Sequence, residues 1–275
     1  MKQHTILFLV LSTLLFSACQ EVIEIDLNSS NPAVVVEGNI ALGKKAILQL
    51  SYTSNYFNTE TARKIENATV TLTNSKGESE QLTHSGNGRY IGEKLVGEAN
   101  STYQLNVKLA DDEINGETSI PSKIELLGVT FTESSMDRPS RPGGDNNGTP
   151  SKSYQMQLSF TDDPEQENYY LFKISNSQRQ FFNRNAMTTD QLLPQTGVIN
   201  YSPMMSQFHA LDTVSITIYS MDKKNYAFYN QLSDISGGGM AGMSTPYNPE
   251  SNMGYNVLGY FSAWSVIDTT FIFVP

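Results

Sequence analysis

The sequence predicts a mainly β protein: an N-terminal immunoglobulin-like sandwich followed by a second antiparallel β domain that carries one helix. Three observations lead to that class. Apolar and polar residues alternate with period two along most of the chain, turn-forming residues recur between the alternating stretches, and a single window keeps the spacing of an amphipathic helix.

The first domain is expected over residues 28–121. It opens with a valine-rich run from Ala33 to Ile40. Leu48, Leu50 and Tyr52 alternate with Gln49 and Ser51, and Val70 and Leu72 with Thr69, Thr71 and Thr73. Tyr103, Leu105, Val107 and Leu109 line one face of a further strand, and Gly116 to Ile120 leads into Pro121. Asn74-Ser75-Lys76-Gly77 and Gly86-Asn87-Gly88 read as the turns between them. Roughly seven short strands in such a length is an immunoglobulin-like spacing.

Residues 122–275 are expected to form the second domain. Strand signals run through Ile124–Thr132, then Tyr154, Met156, Leu158 and Phe160, then Tyr170, Phe172 and Ile174, then Val214, Ile216 and Ile218. Two closing strands are read over Gly259–Val266 and Thr269–Val274. The helix is expected near 222–235: Asp222 is a natural N-cap, Tyr226, Phe228 or Tyr229, Leu232 and Ile235 share a face, and Gly237-Gly238-Gly239 ends it. That aromatic stripe reads as a packing face against a sheet. Met136–Ser151 and Gly237–Asn252 read as long loops, open to partner or ligand contact.

The N-terminus carries a targeting signal. Lys2 precedes a short apolar run from Ile6 to Phe16, far below the about 20 residues that span a bilayer. Phe16-Ser17-Ala18-Cys19 resembles the lipobox of lipoprotein signal peptidase, so residues 1–18 are expected to be removed and Cys19 to be lipidated. Cys19 is the chain's single cysteine, which leaves no internal disulfide. Two or three acyl chains, at roughly 0.8 kcal/mol per buried methylene, make a firm anchor. Residues 19–27 would then be a tether, acidic at Glu21, Glu24 and Asp26, and the protein would sit on an outer membrane, facing either the surface or the periplasm.

Composition narrows the chemistry. Eighteen Lys and Arg face 28 Asp and Glu, a net charge of −10, with no basic run, which speaks against nucleic-acid binding. Beyond the signal segment the histidines are His84 and His209, with no metal-ligand spacing around them. No nucleophile elbow is present. The expectation is a protein without enzymatic activity or cofactor. Asp162, Asp163, Glu165 and Glu167 are oxygen ligands of the kind calcium takes, although Pro164 and the lack of a regular loop spacing favour a solvated turn. Asp111, Asp112 and Glu113 read as a hairpin tip. Among the aromatics, Tyr247, Tyr255 and Trp264 are the expected ligand or partner contacts, with core packing the rival reading for Trp264.

Several segments then stand in a particular order: Cys19-Gln20-Glu21-Val22-Ile23-Glu24-Ile25-Asp26-Leu27 running into Pro32–Gly38, then Ser51-Tyr52, Ala68-Thr69-Val70, Phe160-Thr161-Asp162-Asp163-Pro164, Asn168-Tyr169-Tyr170, Tyr226 and Tyr229, Ser251-Asn252 and Gly259-Tyr260-Phe261. In this order they resemble a Bacteroidota lipoprotein family known only as domain of unknown function 4249. The resemblance implies an outer-membrane lipoprotein, often encoded beside a TonB-dependent receptor, and it assigns no catalytic residues. Three functions are therefore expected in descending order. The first is an accessory or ligand-binding partner of such a receptor in nutrient uptake. The second is a structural or adhesive surface subunit, and the third a hydrolase with a cryptic site.

Overall fold

The computed structural model describes residues 32–54, 61–110, 112–134, 152–176, 184–192, 196–203, 208–235 and 247–275. The expected signal segment 1–18, the expected tether 19–27 with Cys19, Asp111, and the residues 136–151 and 237–246 read from the sequence as loops lie outside them.

The described residues form fifteen strands and one α-helix, the mainly β class that the sequence predicts. The strands are β1 (Val34–Ala41), β2 (Lys45–Tyr52), β3 (Thr69–Asn74), β4 (Ser79–Gln81), β5 (Thr83–His84), β6 (Arg89–Val96), β7 (Ser101–Lys108) and β8 (Glu113–Ile120). They continue with β9 (Leu126–Glu133), β10 (Tyr154–Thr161), β11 (Tyr169–Asn176), β12 (Arg184–Thr189), β13 (Val198–Tyr201), β14 (Thr213–Met221) and β15 (Val257–Ile272). The helix, α1, spans Lys223–Ser233 between β14 and β15.

These strands build one eight-stranded sheet in the order β12-β11-β14-β15-β1-β2-β6-β5, a four-stranded sheet β4-β3-β7-β8 and a three-stranded sheet β13-β10-β9. Each small sheet covers one half of the large one. Val70, Leu72, Tyr103, Leu105 and Val107 of the four-stranded sheet pack on Val36, Leu48, Leu50, Tyr90 and Phe261 of the large sheet. Met156, Leu158, Phe160 and Ile199 of the three-stranded sheet pack on Tyr170, Phe172, Val214, Ile216 and Ile218. Alternating side chains on each strand therefore go inward, as the period-two pattern requires.

The sequence reading cuts the chain after residue 121. The structure does not divide there: the first hydrophobic cluster takes in Met253, Val257, Phe261 and Ala263 from beyond the cut, and residues 32–275 form one compact unit. The reason is β15. The two closing strands expected from the sequence are one strand of 16 residues, parallel to β1 and antiparallel to β14. Its inward residues Phe261 and Ala263 belong to the first cluster, while Ile267 and Phe271 pack on the second. Between the clusters Ser265, 1% exposed, accepts a hydrogen bond from the Ile124 N–H at 3.2 Å, fixing the link between the segments.

Two side chains tie the outer edge of β8 to this junction. Asp222 caps α1 by accepting from the Asn225 N–H at 2.7 Å, and its other oxygen accepts from Ser119 N–H at 2.9 Å and the Thr118 hydroxyl at 3.2 Å. Asn252 donates to Glu117 O at 2.9 Å and to Phe261 O at 2.8 Å, and accepts from Phe261 N–H at 3.0 Å. An edge strand that would otherwise expose its N–H and C=O groups is thereby occupied.

Candidate functional site

The outward face of the large sheet is covered by α1 where β15 meets β14, and it is open where β15, β1 and β2 run side by side. Helical spacing sets which side chains face the sheet. Phe228 is buried against Tyr260, with ring centroids 4.6 Å apart, and Tyr229 lies 6.2 Å from Trp264, its hydroxyl 3.3 Å from Ser262 Oγ. Asn225, fully buried, donates to Ala263 O at 3.0 Å and clips the first turn of the helix to β15. Tyr226, Phe228 and Tyr229 of the stripe read from the sequence as a packing face do pack, while Leu232 remains 40% exposed at the rim.

Beside the helix this leaves a groove of about 540 Å³. Tyr229, Trp264 and Tyr260 form its aromatic wall, and the floor is the outward face of β1, β2 and β6. Strand register places polar side chains there in rows. Glu37 stands opposite Tyr260 on one side and Gln49 on the other, and Gln49 stands opposite Arg89, so Tyr260, Glu37, Gln49 and Arg89 cross the sheet as one row. Asn39 lies in the neighbouring row between Ser262 and Ile47. Gln49 is held by its amide, which donates to Asn87 O at 2.7 Å. No ion pair among the described residues engages Glu37 or Arg89.

A second hollow of about 330 Å³ lies across Phe228 and Tyr260 from the first, bordered by Glu117, Lys224, Glu250 and Asn252. Tyr260, 4% exposed, forms part of both walls. Its hydroxyl has no partner among the described residues. Burial, reinforced by the Asp222 and Glu250 carboxylates, pushes its pKa far up, so it stays a neutral donor.

Of the contacts expected from the sequence, Trp264 lies in the groove wall, half-buried between Tyr219, at 5.0 Å, and Tyr229. One side of Trp264 packs and the other lines the opening. Tyr247 is 44% exposed and directly precedes Asn248 and Pro249 at the groove rim. Tyr255, 92% exposed, borders neither hollow. Glu37, Asn39, Gln49 and Arg89 escape a sequence reading because three separate strands bring them together. The one local hint is Glu37-Gly38-Asn39, two polar residues at outward positions inside an otherwise apolar run.

The acidic segment after β10 is a turn in which the carboxylates diverge. Asp162 accepts a hydrogen bond from the Tyr170 hydroxyl through Oδ1, while its Oδ2 is buried with no partner among the described residues. Asp163 turns the other way, accepting from Ser122 Oγ at 2.7 Å and Glu165 N–H at 3.1 Å, which hold its pKa down. Glu165 is exposed. Among the described residues no group of three or more His, Cys, Asp or Glu is arranged to hold a metal ion. His84 packs on Tyr90 at 5.0 Å between ring centroids, and His209 Nδ1 lies 4.0 Å from Asp212 Oδ2.

Burial raises the Asp162 pKa above its ordinary value of 3.8, with Asp190 adding to the effect. The native state then holds that proton more tightly than the unfolded chain, so Asp162 costs stability once pH rises through its folded pKa. Asp162→Asn keeps an acceptor for Tyr170 without the buried charge. The variant is expected to melt higher than wild type at pH 7, with the difference disappearing as pH falls below about 4. Thermal melts across that range would expose the opposite sign, a variant melting lower at pH 7.

One family model, described as "Domain of unknown function (DUF4249)", matches residues 20–270. No curated protein matches the chain.

Proposed function

The chain belongs to the DUF4249 family, and from that premise we propose that it is a non-enzymatic lipoprotein, anchored to the outer membrane through Cys19, that binds ligand as the accessory partner of a TonB-dependent receptor in nutrient uptake. The observation that carries the binding role is the aromatic-walled groove over β15, β1 and β2, whose volume lies in the range of about 300–1,000 Å³ typical of ligand sites. The lipobox before Cys19 supports the anchor. Confinement to a membrane beside a receptor raises the effective concentration of one for the other, so a modest intrinsic affinity suffices for hand-over.

The test is affinity capture of the tagged full chain from detergent-solubilised outer membranes. A TonB-dependent receptor is expected among the captured proteins, and Cys19→Ser is expected to abolish both membrane association and capture. Recovery of the lipoprotein without any receptor, or an unaltered membrane fraction for Cys19→Ser, overturns the reading.

A further inference from the structure

We propose that the groove takes a neutral oligosaccharide, an inference that rests on the reading of the chain as a ligand-binding protein and names what it binds. A pyranose ring makes two demands of a site. Its C–H face needs an aromatic plane, and its ring of hydroxyls, each both donor and acceptor, needs planar polar side chains at close spacing. The groove offers both. Tyr229 and Trp264, both half-buried, supply the aromatic surface, and the floor sets out a carboxylate at Glu37, amides at Asn39 and Gln49, and a guanidinium at Arg89. Neighbouring strands repeat at about 4.8 Å, so polar groups on adjacent strands fall at the separation of hydroxyls along a chain of sugars. Gln49 is already fixed by its bond to Asn87 O, and Trp264 is wedged between Tyr219 and Tyr229, so these contacts are ordered before ligand arrives.

Other chemistries fit less well. β1 and β2 are paired on both sides, so their backbone groups are already engaged and an extended peptide cannot be read by strand addition. A single Arg89, in one row with the Glu37 carboxylate and on a chain of net charge −10, disfavours phosphate and acidic sugars. A purely apolar ligand would have to strip water from Glu37 and Arg89 without replacing it.

Trp264 is the chain's one tryptophan, so its emission reports occupancy without a label. The detergent-solubilised full chain is screened on an array of neutral and acidic oligosaccharides and one extended valine–threonine peptide, and each binder is then titrated against Trp264 emission. A neutral oligosaccharide is expected to give a saturable change, weakened about tenfold or more by Glu37→Gln and by Asn39→Ala. Both variants are expected to keep the wild-type melting temperature, because both side chains face outward. Four results overturn the proposal: no saturable change with any neutral glycan, saturation by acidic glycans alone, saturation by the peptide alone, or neutral-glycan affinity untouched by both substitutions. Receptor capture without glycan binding removes this inference and leaves the accessory role. Glycan binding without receptor capture does the reverse.

Discussion

Glu80→Ala is expected to cost about 3–5 kcal/mol of stability, the largest effect of any single truncation outside the hydrophobic clusters. Glu80 is 6% exposed and has no cationic partner among the described ion pairs. Its carboxylate instead accepts three consecutive backbone N–H groups of β6: Glu93 at 3.1 Å, Lys94 at 2.7 Å and Leu95 at 3.1 Å. β4 belongs to the four-stranded sheet and β6 to the large one, so this one side chain joins the two layers of the first sandwich at its corner. Alanine would orphan three donors at once, each costing about 1–3 kcal/mol where water cannot replace the lost acceptor. Glu80→Gln is expected to lose about half as much. Its carbonyl can still serve two N–H groups, but its amide would point a donor at the third. Urea unfolding with the slope held common to all three proteins measures this directly. An alanine variant within about 1 kcal/mol of wild type would mean that water enters the corner at little cost.

The second large effect is expected at Gly259. Its φ of +81° lies in the region that side chains avoid, and a Cβ built there would sit 2.1 Å from Val36 O in the adjacent strand. Gly259→Ala must therefore adopt a strained backbone and also push β1 away from β15. Strain of about 1–3 kcal/mol and overpacking of about 1–3 kcal/mol together give roughly 3–5 kcal/mol. For a chain of this length that corresponds to a melting temperature lower by about 10 °C. The Gly259 carbonyl accepts from Ser251 Oγ at 2.7 Å, and the residue borders the groove, so glycan binding is expected to fall along with stability. A variant that melts like wild type would show that β1 and β15 can separate locally at no cost.

How far these features can be read from sequence depends on the range of the interaction behind them. Inward residues such as Leu48, Leu50, Leu158 and Phe172 announce themselves by alternation, because the pleat acts on neighbours two residues apart. The helix was equally legible: Asp222 does cap it, through a bond three residues along the chain. Partnership of strands was not. Nothing local to residues 257–272 says that they run parallel to residues 34–41, more than two hundred positions away, and a boundary drawn after residue 121 follows from missing that pairing. The site fails in the same way. Trp264 draws attention by type, whereas Glu37 and Gln49 look like ordinary solvent-facing positions until register sets them side by side.

The place of β15 in the large sheet has a consequence for biogenesis. A polypeptide delivered from its amino end presents β1 long before, and β14 still ahead of, the segment that must lie between them. Until residues 257–272 emerge, both strands keep an open flank of unsatisfied backbone groups, and neither sandwich has its full complement of core residues. Assembly of both sandwiches thus waits for residues 257–272, and such long-range pairing makes folding slow and leaves a window for aggregation.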